Sequence, residues 1–113
     1  MKQFMMIFRN AYNPEFKPSP EQMQASIKQW QDWIGGIAAQ GKFESTERLG
    51  FSGKIVKKGE VIDGPYVEVK EMVGGFIIVK ENSLDEAIEL AKGCPIIHIG
   101  GNVEVRDIMV LNK

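Results

Sequence analysis

One stretch decides the fold: Val61-Ile62-Asp63-Gly64-Pro65-Tyr66-Val67-Glu68-Val69-Lys70-Glu71. It opens with an apolar pair and then turns, because Asp63 can hydrogen-bond its own downstream backbone and Pro65 favours extended geometry in the residue before it. After the turn, polar and apolar side chains alternate from Tyr66 to Lys70, which is typical of a half-buried strand. The stretch therefore predicts a turn that leads into a strand with charged side chains on one face.

Other strands are predicted on both sides of this stretch. Phe4–Phe8 and Phe76–Val79 are apolar on both faces, as expected for strands that are covered on each side. Val103–Val110 begins with alternating apolar and charged residues and predicts the last strand. Ile55-Val56 and Val61-Ile62 flank a turn that contains Gly59, which predicts a hairpin.

Two helices are predicted from their capping residues. Ser19 and Gln22 form an S-x-x-Q capping box for a helix near Ser19–Gln40, which carries one apolar stripe and ends at Gly41. Ser83 and Glu86 form an S-x-x-E box for a helix near Ser83–Lys92. The pair Gly35-Gly36 interrupts the first helix at a cost of about 1–2 kcal/mol relative to alanines. Close packing against the sheet or a neighbouring subunit is favoured over room for a ligand.

The order of elements, β-α-β-hairpin-β-α-β, predicts an α+β domain. It matches the ferredoxin-like split βαβ arrangement, an antiparallel sheet with two helices on one face. That arrangement leaves the other sheet face bare, yet the two central strands are apolar on both faces. A second copy of the chain is the simplest cover for it, so we expect a homodimer.

Composition restricts the class of protein. The 113 residues predict a single domain, 1–113, and 43% hydrophobic with 26% charged residues is ordinary for a globular chain. A net charge of −1 without a basic stripe does not favour nucleic-acid binding, and no apolar run is long enough to span a membrane. The lone Cys94 cannot form an intrachain disulfide, which predicts a cytoplasmic protein, and a buried thiol is favoured over a nucleophile. No nucleotide or metal motif is present, so no cofactor or metal is predicted.

Two residues are candidates for acid–base chemistry. Asp63 is a candidate general base if a pocket desolvates it, or alternatively caps its own turn. His98 precedes Gly100-Gly101 and is a candidate proton shuttle, although a single histidine is more often structural.

Three further residues are candidates for substrate binding. Glu68 and Arg106 could face one cavity from adjacent strands, with Arg106 holding an anionic group, or could form a cross-strand ion pair. Trp33 lies off the main apolar stripe and could stack on a flat ligand, or pack in the core or a dimer interface.

The sequence resembles the YCII-related, or DGPF, family over nearly its whole length. The shared features are Asp63-Gly64-Pro65-Tyr66 with Lys70-Glu71 and Gly75, the pair Trp30/Trp33 ahead of Gly41, the helix start Ser83-x-Asp85-Glu86-Ala87, Cys94-Pro95, and Gly101 followed by Glu104-Val105-Arg106. Two residues depart from the family pattern: Tyr66 replaces the usual Phe, and Asp107 replaces a frequent Pro.

The resemblance implies a ferredoxin-like domain whose dimer forms an α/β barrel with a pocket in each half. In relatives a His–Asp pair has been proposed as catalytic, and one relative acts on a chlorinated hydroxyquinol. That histidine lies in the first helix, where this chain has Trp30 at the corresponding position, so the pair is not carried over. Some relatives are linked to sigma-factor domains, which suggests a transcription-associated accessory protein as an alternative.

Two classes of function follow from these observations. The first is a dimeric small-molecule-binding protein without proven activity, which we favour because the helix histidine is absent. The second is an enzyme of lyase or isomerase type that acts on a small polar or aromatic metabolite by acid–base chemistry at Asp63.

Overall fold

The computed structural model describes residues 1–11, 17–68 and 71–110. The strands of this part are β1 (Lys2–Ala11), β2 (Phe43–Arg48), β3 (Gly53–Lys57), β4 (Glu60–Gly64), β5 (Val67–Glu68), β6 (Glu71–Glu81) and β7 (Asn102–Asp107). The helices are α1 (Pro20–Ala39), α2 (Leu84–Ala91) and a 3-10 helix, Pro95–Ile99. The predicted strands and helices are all present, but the last strand ends at Asp107 instead of Val110. The predicted alternation through Val69 and Lys70 lies outside the described residues.

The main sheet is antiparallel and runs in the order β2-β6-β1-β7, with β5 paired to the start of β6. The two longest strands, β1 and β6, lie side by side at its centre. Strands β1 and β2 are thus separated by β6, and β6 and β7 are separated by β1, as the split βαβ arrangement requires. The fold is α+β, as predicted.

Both helices pack on one face of this sheet. The buried cluster draws alternate side chains from β1 and β6 and joins them to one residue of α1 and two of α2: Phe4, Met6, Phe8, Ile77, Val79, Ile37, Ala87 and Ala91. Because these residues form one cluster, the two helices share one sheet face. The stripe of α1 is only partly used, since Met23 and Ile27 in its first turns remain about half exposed.

The capping residues explain why the helices begin and end where they do. Ser19 and Gln22 make both bonds of the predicted capping box, at 2.9 and 3.1 Å. After α1, Gly41 has a φ of 72°, and the N–H of Lys42 donates to the Ile37 carbonyl at 3.1 Å, which is a Schellman ending. The box of α2 differs from the prediction, because the Glu86 carboxylate accepts from the N–H of Asn82 and not from that of Ser83.

Strands β3 and β4 form a separate two-stranded hairpin. They pair in register around Lys58-Gly59, and Gly59 has the positive φ, 84°, that such a tight turn needs. Its cross-strand pair Val56 and Val61 is largely exposed. The hairpin was predicted from the sequence, but its separation from the main sheet was not.

The glycine pair of α1 does not have the environment that was predicted for it. A Cβ on Gly35 or Gly36 would meet no atom within 4 Å in the described residues. Two other glycines leave no room for a side chain: a Cβ on Gly75 in β6 would lie 2.6 Å from the carbonyl oxygen of Glu47, and a Cβ on Gly101 would lie 2.6 Å from the carbonyl oxygen of Arg9. Close packing against the sheet is therefore wrong for the helix pair, and a neighbouring subunit stays a prediction.

Candidate functional site

The face of the sheet opposite the helices carries an ordered set of side chains. Directly paired residues of neighbouring strands share a face. One row across the sheet is therefore Ser45, Ile78, Met5 and Arg106, and the next row is Glu47, Phe76, Ile7 and Glu104. In both rows the two central positions are apolar and the two outer positions are polar or charged. We call these eight residues the open face.

The open face is not covered by any element of the described residues. Its four apolar side chains, Met5, Ile7, Phe76 and Ile78, are half-buried and stand apart from the cluster beneath the helices. A half-buried apolar centre with a polar rim is the composition of an interface or a ligand site.

An arginine–glutamate group lies at the β7 edge of this face. The Glu104 carboxylate binds the Arg9 guanidinium through Oε1, while its Oε2 lies 3.9 Å from Arg106 Nε. The Arg106 side chain is 69% exposed. Arg106 is thus held only loosely by its neighbour and presents hydrogen-bond donors to solvent at the rim of the open face.

The structure places Asp63 on the hairpin and not on the open face. Its carboxylate accepts a hydrogen bond from Lys54 Nζ at 2.7 Å, directly across the β3–β4 pair, and its side chain is 95% exposed. Such an exposed ion pair is worth between about 0 and 1 kcal/mol. The carboxylate faces solvent in the described chain, so desolvation does not act on it there.

Trp33 lies in an aromatic cluster on the helix side of the sheet. Its ring packs edge-to-face on Phe8 and Trp30, with ring centroids 6.0 and 5.8 Å away. Its Nε1–H donates to the Leu90 carbonyl of α2 at 3.0 Å. The indole therefore joins α1, α2 and β1, which is the packing alternative considered for it.

His98 lies in the 3-10 helix and is exposed, whereas Asp63, the other predicted acid–base residue, lies in the β3–β4 hairpin. Its ring has no hydrogen-bond partner among the described residues. Glu68 lies on β5, which pairs with β6, whereas Arg106 lies on β7, which pairs with β1, so the prediction that the two residues lie on adjacent strands is wrong. The side chain of Glu68 lies outside the described residues, so a cavity shared with Arg106 stays a prediction. Of the predicted site residues, Arg106 is the one that the described structure places on the open face.

Concavities elsewhere do not contain the predicted residues. One of about 300 Å³ lies between α2, the 3-10 helix and β7, and another of about 510 Å³ lies at the end of the sheet near Lys2 and Lys80. Neither is lined by Asp63, Trp33, His98 or Arg106. Within the described ranges, no three His, Cys, Asp or Glu side chains lie close enough together to hold a metal ion.

The sequence did not single out Arg9, Met5 or Ile7 as site residues. Arg9 directly follows the apolar run Phe4–Phe8, and its pairing with Glu104, 95 positions away, is not visible in the sequence. Successive side chains of β1 point to opposite faces of the sheet, so Met5, Ile7 and Arg9 share a face. Which residues of β6 and β7 lie beside them depends on the strand register, and the sequence does not give that register.

The sheet order and the two helices on one face define a ferredoxin-like α+β protein. The model of the YCII-related domain matches residues 4–112, and the chain therefore belongs to the YCII-related family. No curated protein matches the sequence. No helix among the described residues is both long and apolar enough to cross a membrane.

Proposed function

We propose that this chain is a homodimeric small-molecule-binding protein of the YCII-related family, in which two open faces pack against each other and enclose the ligand. The observation that carries the proposal is the open face itself, with its apolar centre, its charged rim and no covering element in the described residues. The dimeric α/β barrel of the family is the arrangement that such packing would produce.

The side-chain rows favour a second copy as the cover. A two-fold interface must be self-complementary, because the same patch lies on both sides of it. In the open face, Ile7 and Met5 are flanked by Phe76 and Ile78, so an apolar centre meets an apolar centre when the two-fold axis passes through these residues. The outer charges then lie at the rim, where they keep contact with water.

Arg106 indicates the chemical class of the ligand. Its guanidinium is largely exposed beside the apolar centre, and arginine forms forked hydrogen bonds with carboxylates. A flat apolar body with an anionic group would contact both features. We therefore propose a small aromatic or apolar acid as the ligand.

Acid–base catalysis at Asp63 receives less support. General-base action requires a carboxylate within reach of a bound substrate, and in the described chain Asp63 is paired to Lys54 and faces solvent. The hairpin would have to bring it to a site on the partner subunit, and nothing in the described residues favours that.

Sedimentation velocity tests the dimer. The unchanged chain is expected to sediment as a dimer or larger assembly at micromolar concentration, and Ile7→Lys is expected to remove the face-to-face contact. Ile27→Lys is the matched control, because Ile27 is an exposed isoleucine of α1, on the helix side of the sheet. A folded monomer for the unchanged chain, or an assembly that Ile7→Lys leaves intact, would overturn the proposal.

Titration calorimetry with 2-naphthoate tests the ligand class, with uncharged 2-naphthamide as the matched ligand. We expect the acid to bind roughly tenfold more tightly than the amide, which corresponds to about 1.4 kcal/mol. Arg106→Gln should remove that difference, whereas Lys54→Gln in the hairpin should not. Equal binding of acid and amide would contradict the role of Arg106.

A further inference from the structure

The β3–β4 hairpin has two free strand edges. Its strands pair with each other in a sheet of two strands, and no other strand of the described residues lies beside either of them. An isolated two-stranded sheet is only marginally stable in water, and an unpaired strand edge is a template for a further strand. The outer edges of the hairpin are therefore candidate docking surfaces.

The charges of the hairpin are separated between its two strands. The charged residues of β3 are Lys54 and Lys57, and Lys58 of the turn follows them directly. The charged residues of β4 are the acids Glu60 and Asp63. In the register each lysine of β3 faces one of these acids, with two apolar pairs between the charged pairs. We call the outer edge of β3 the basic edge.

Alternate backbone groups of β3 point away from β4, towards the basic edge. The residues that close a two-residue turn exchange both hydrogen bonds, and here these are Lys57 and Glu60. The bonding alternates from this pair along the ladder, so Lys54 and Val56 direct their N–H and C=O groups outward. Val56 is also 78% exposed. The basic edge thus offers backbone donors and acceptors beside exposed apolar and cationic side chains.

We propose that the basic edge binds an extended acidic segment of another protein, which adds to the hairpin as a third, antiparallel strand. Such a strand runs in the same direction as β4. Along β3 it meets in turn a lysine, two apolar residues and a lysine, which are Lys57, Val56, Ile55 and Lys54. It must therefore offer an acid, two apolar residues and a second acid. This is the pattern that β4 itself presents to β3, as Glu60-Val61-Ile62-Asp63.

The lysines of β3 have hydrogen-bonding capacity left for a second acid. Lys54 Nζ donates to Asp63 Oδ1 at 2.7 Å, which uses one of its three N–H groups, and the Lys54 side chain is 65% exposed. Lys57, nearer the turn, is exposed as well. In a three-stranded sheet each lysine would have an acid on both sides, so charge pairs would fix the register of the added strand.

The same charges disfavour pairing between copies of this chain. Antiparallel pairing of two β3 edges about the centre of the strand places Lys54 opposite Lys57. The same pairing of two β4 edges places Glu60 opposite Asp63, so like charges meet in both arrangements. Strand β3 of one copy is complementary to β4 of another, but that contact is head-to-tail and extends from copy to copy unless a ring closes it. A separate acidic segment avoids both problems.

Lysines on a strand edge also protect against aggregation. Protection requires charge of either sign, and it does not require lysines at the spacing of the acids on β4. It therefore predicts no selective binding of an acidic strand, whereas docking does. The docking does not rest on the proposed function, because the hairpin and the open face belong to different sheets.

Fluorescence anisotropy with labelled peptides tests the docking. The probe Ser-Glu-Val-Ile-Asp-Ser carries the required pattern, and Ser-Lys-Val-Ile-Lys-Ser is the matched peptide with its charges reversed. We expect the acidic peptide to bind saturably, and at least about tenfold more tightly than the basic one. Equal binding of the two peptides, or binding of neither, would overturn the proposal.

Two proline variants assign the binding to one edge. Val56→Pro removes an outward N–H from β3 without removing a bond of the hairpin ladder, and is expected to abolish binding of the acidic peptide. Val61→Pro makes the same change at the outer edge of β4 and is the matched control, which should bind as the unchanged chain does. Binding that Val56→Pro retains, or a loss that Val61→Pro shares while its hairpin stays folded, would contradict the assignment.

Hydrogen exchange on the unchanged chain gives a measurement that does not depend on a variant. At a concentration of acidic peptide about ten times its Kd, exchange at the amides of Lys54 and Val56 should slow roughly tenfold, while that at Val61 and Asp63 should not change. Protection of the β4 amides instead would overturn the proposal. A sedimentation coefficient that falls in Val56→Pro without peptide would also overturn it, because a second copy would then occupy the basic edge.

Discussion

The central sheet and the β3–β4 hairpin are built from similar residues but have opposite environments. Val79 of β6 is fully buried at 0% exposure, whereas Val56 of β3 is 78% exposed. Both are β-branched residues in regular antiparallel strands. Strand propensity therefore accounts for the backbone of both regions, while cover by the helices accounts for the burial of only one.

The charged residues of the two regions differ in the same way. Glu81, at the end of β6, is 4% exposed and accepts a hydrogen bond from Lys42 Nζ at 2.7 Å. Asp63 of the hairpin makes a bond of equal length to Lys54, but it is 95% exposed. The two ion pairs have equal distances, but losing the partner costs more free energy at Glu81 than at Asp63, since a buried charge without its partner cannot be solvated by water.

The largest expected effect comes from removing one lysine of each pair. Lys42→Met leaves the Glu81 carboxylate buried without its partner and is expected to lower the free energy of unfolding by about 3–5 kcal/mol. Lys54→Met leaves an exposed carboxylate, and is expected to change it by less than about 1 kcal/mol. Urea unfolding measures both changes. Similar losses for the two variants would contradict the conclusion that burial makes the Glu81 pair the more important of the two.

The next effect comes from the same substitution in both regions. Val79→Ala removes two buried methyl groups and is expected to lower the free energy of unfolding by about 2–3 kcal/mol, from lost transfer energy and the remaining cavity. Val56→Ala should stay within about 0.5 kcal/mol of the unchanged chain. A large loss for Val56→Ala would show that a partner covers the hairpin in solution.

Alkaline pH should distinguish the buried thiol from an exposed one. Burial raises the pKa of the Cys94 thiol from 9.0 to about 11, and a hydrogen bond from the backbone of Ile96 opposes the shift. The folded chain therefore keeps this proton where the unfolded chain has lost it. Its contribution to the free energy of unfolding, on the order of 2 kcal/mol, is fully present below about pH 9 and is lost as the pH rises through about 11.

The measurement is the free energy of unfolding between pH 8 and pH 11, compared between the unchanged chain and Cys94→Ala. The difference between them should shrink as the pH rises. Val56→Cys, which adds an exposed thiol to the hairpin, should add no such slope. An unchanged difference across this range would show that burial does not hold the proton on Cys94.

The smallest expected effect comes from replacing glycines by alanine, one in α1 and one in the central sheet. Gly35→Ala on the exposed surface of α1 should raise the free energy of unfolding by about 0.5–1 kcal/mol, because the added Cβ meets nothing within 4 Å. Gly75→Ala in the central sheet should lower it, since its Cβ would approach the Glu47 carbonyl to 2.6 Å. Gly35→Ala that folds normally but assembles poorly would indicate that a subunit packs against α1.

The candidate site could be predicted from the sequence only in part. Arg106 is a candidate from the sequence because its strand alternates, but the partner predicted for it was Glu68, and the strand order places β5 and β7 apart. Asp63 is a candidate general base from its residue type and its turn alone, and a turn carries no information about which other elements approach it. Trp33 could not be assigned from the stripe of α1, because its contact with Leu90 depends on how two helices lie on the sheet.

The sequence by itself determined the local structure of this protein. The bonds of Ser19 with Gln22, the positive φ of Gly41 and the turn at Gly59 all involve residues within a few positions of each other. Only the tertiary structure decided which faces are covered, which strand edge is free, and that Arg9 meets Glu104 across 95 positions. The physical reason is that helix caps and turns are stabilised by short-range hydrogen bonds, whereas strand register and burial depend on packing between segments distant in the chain.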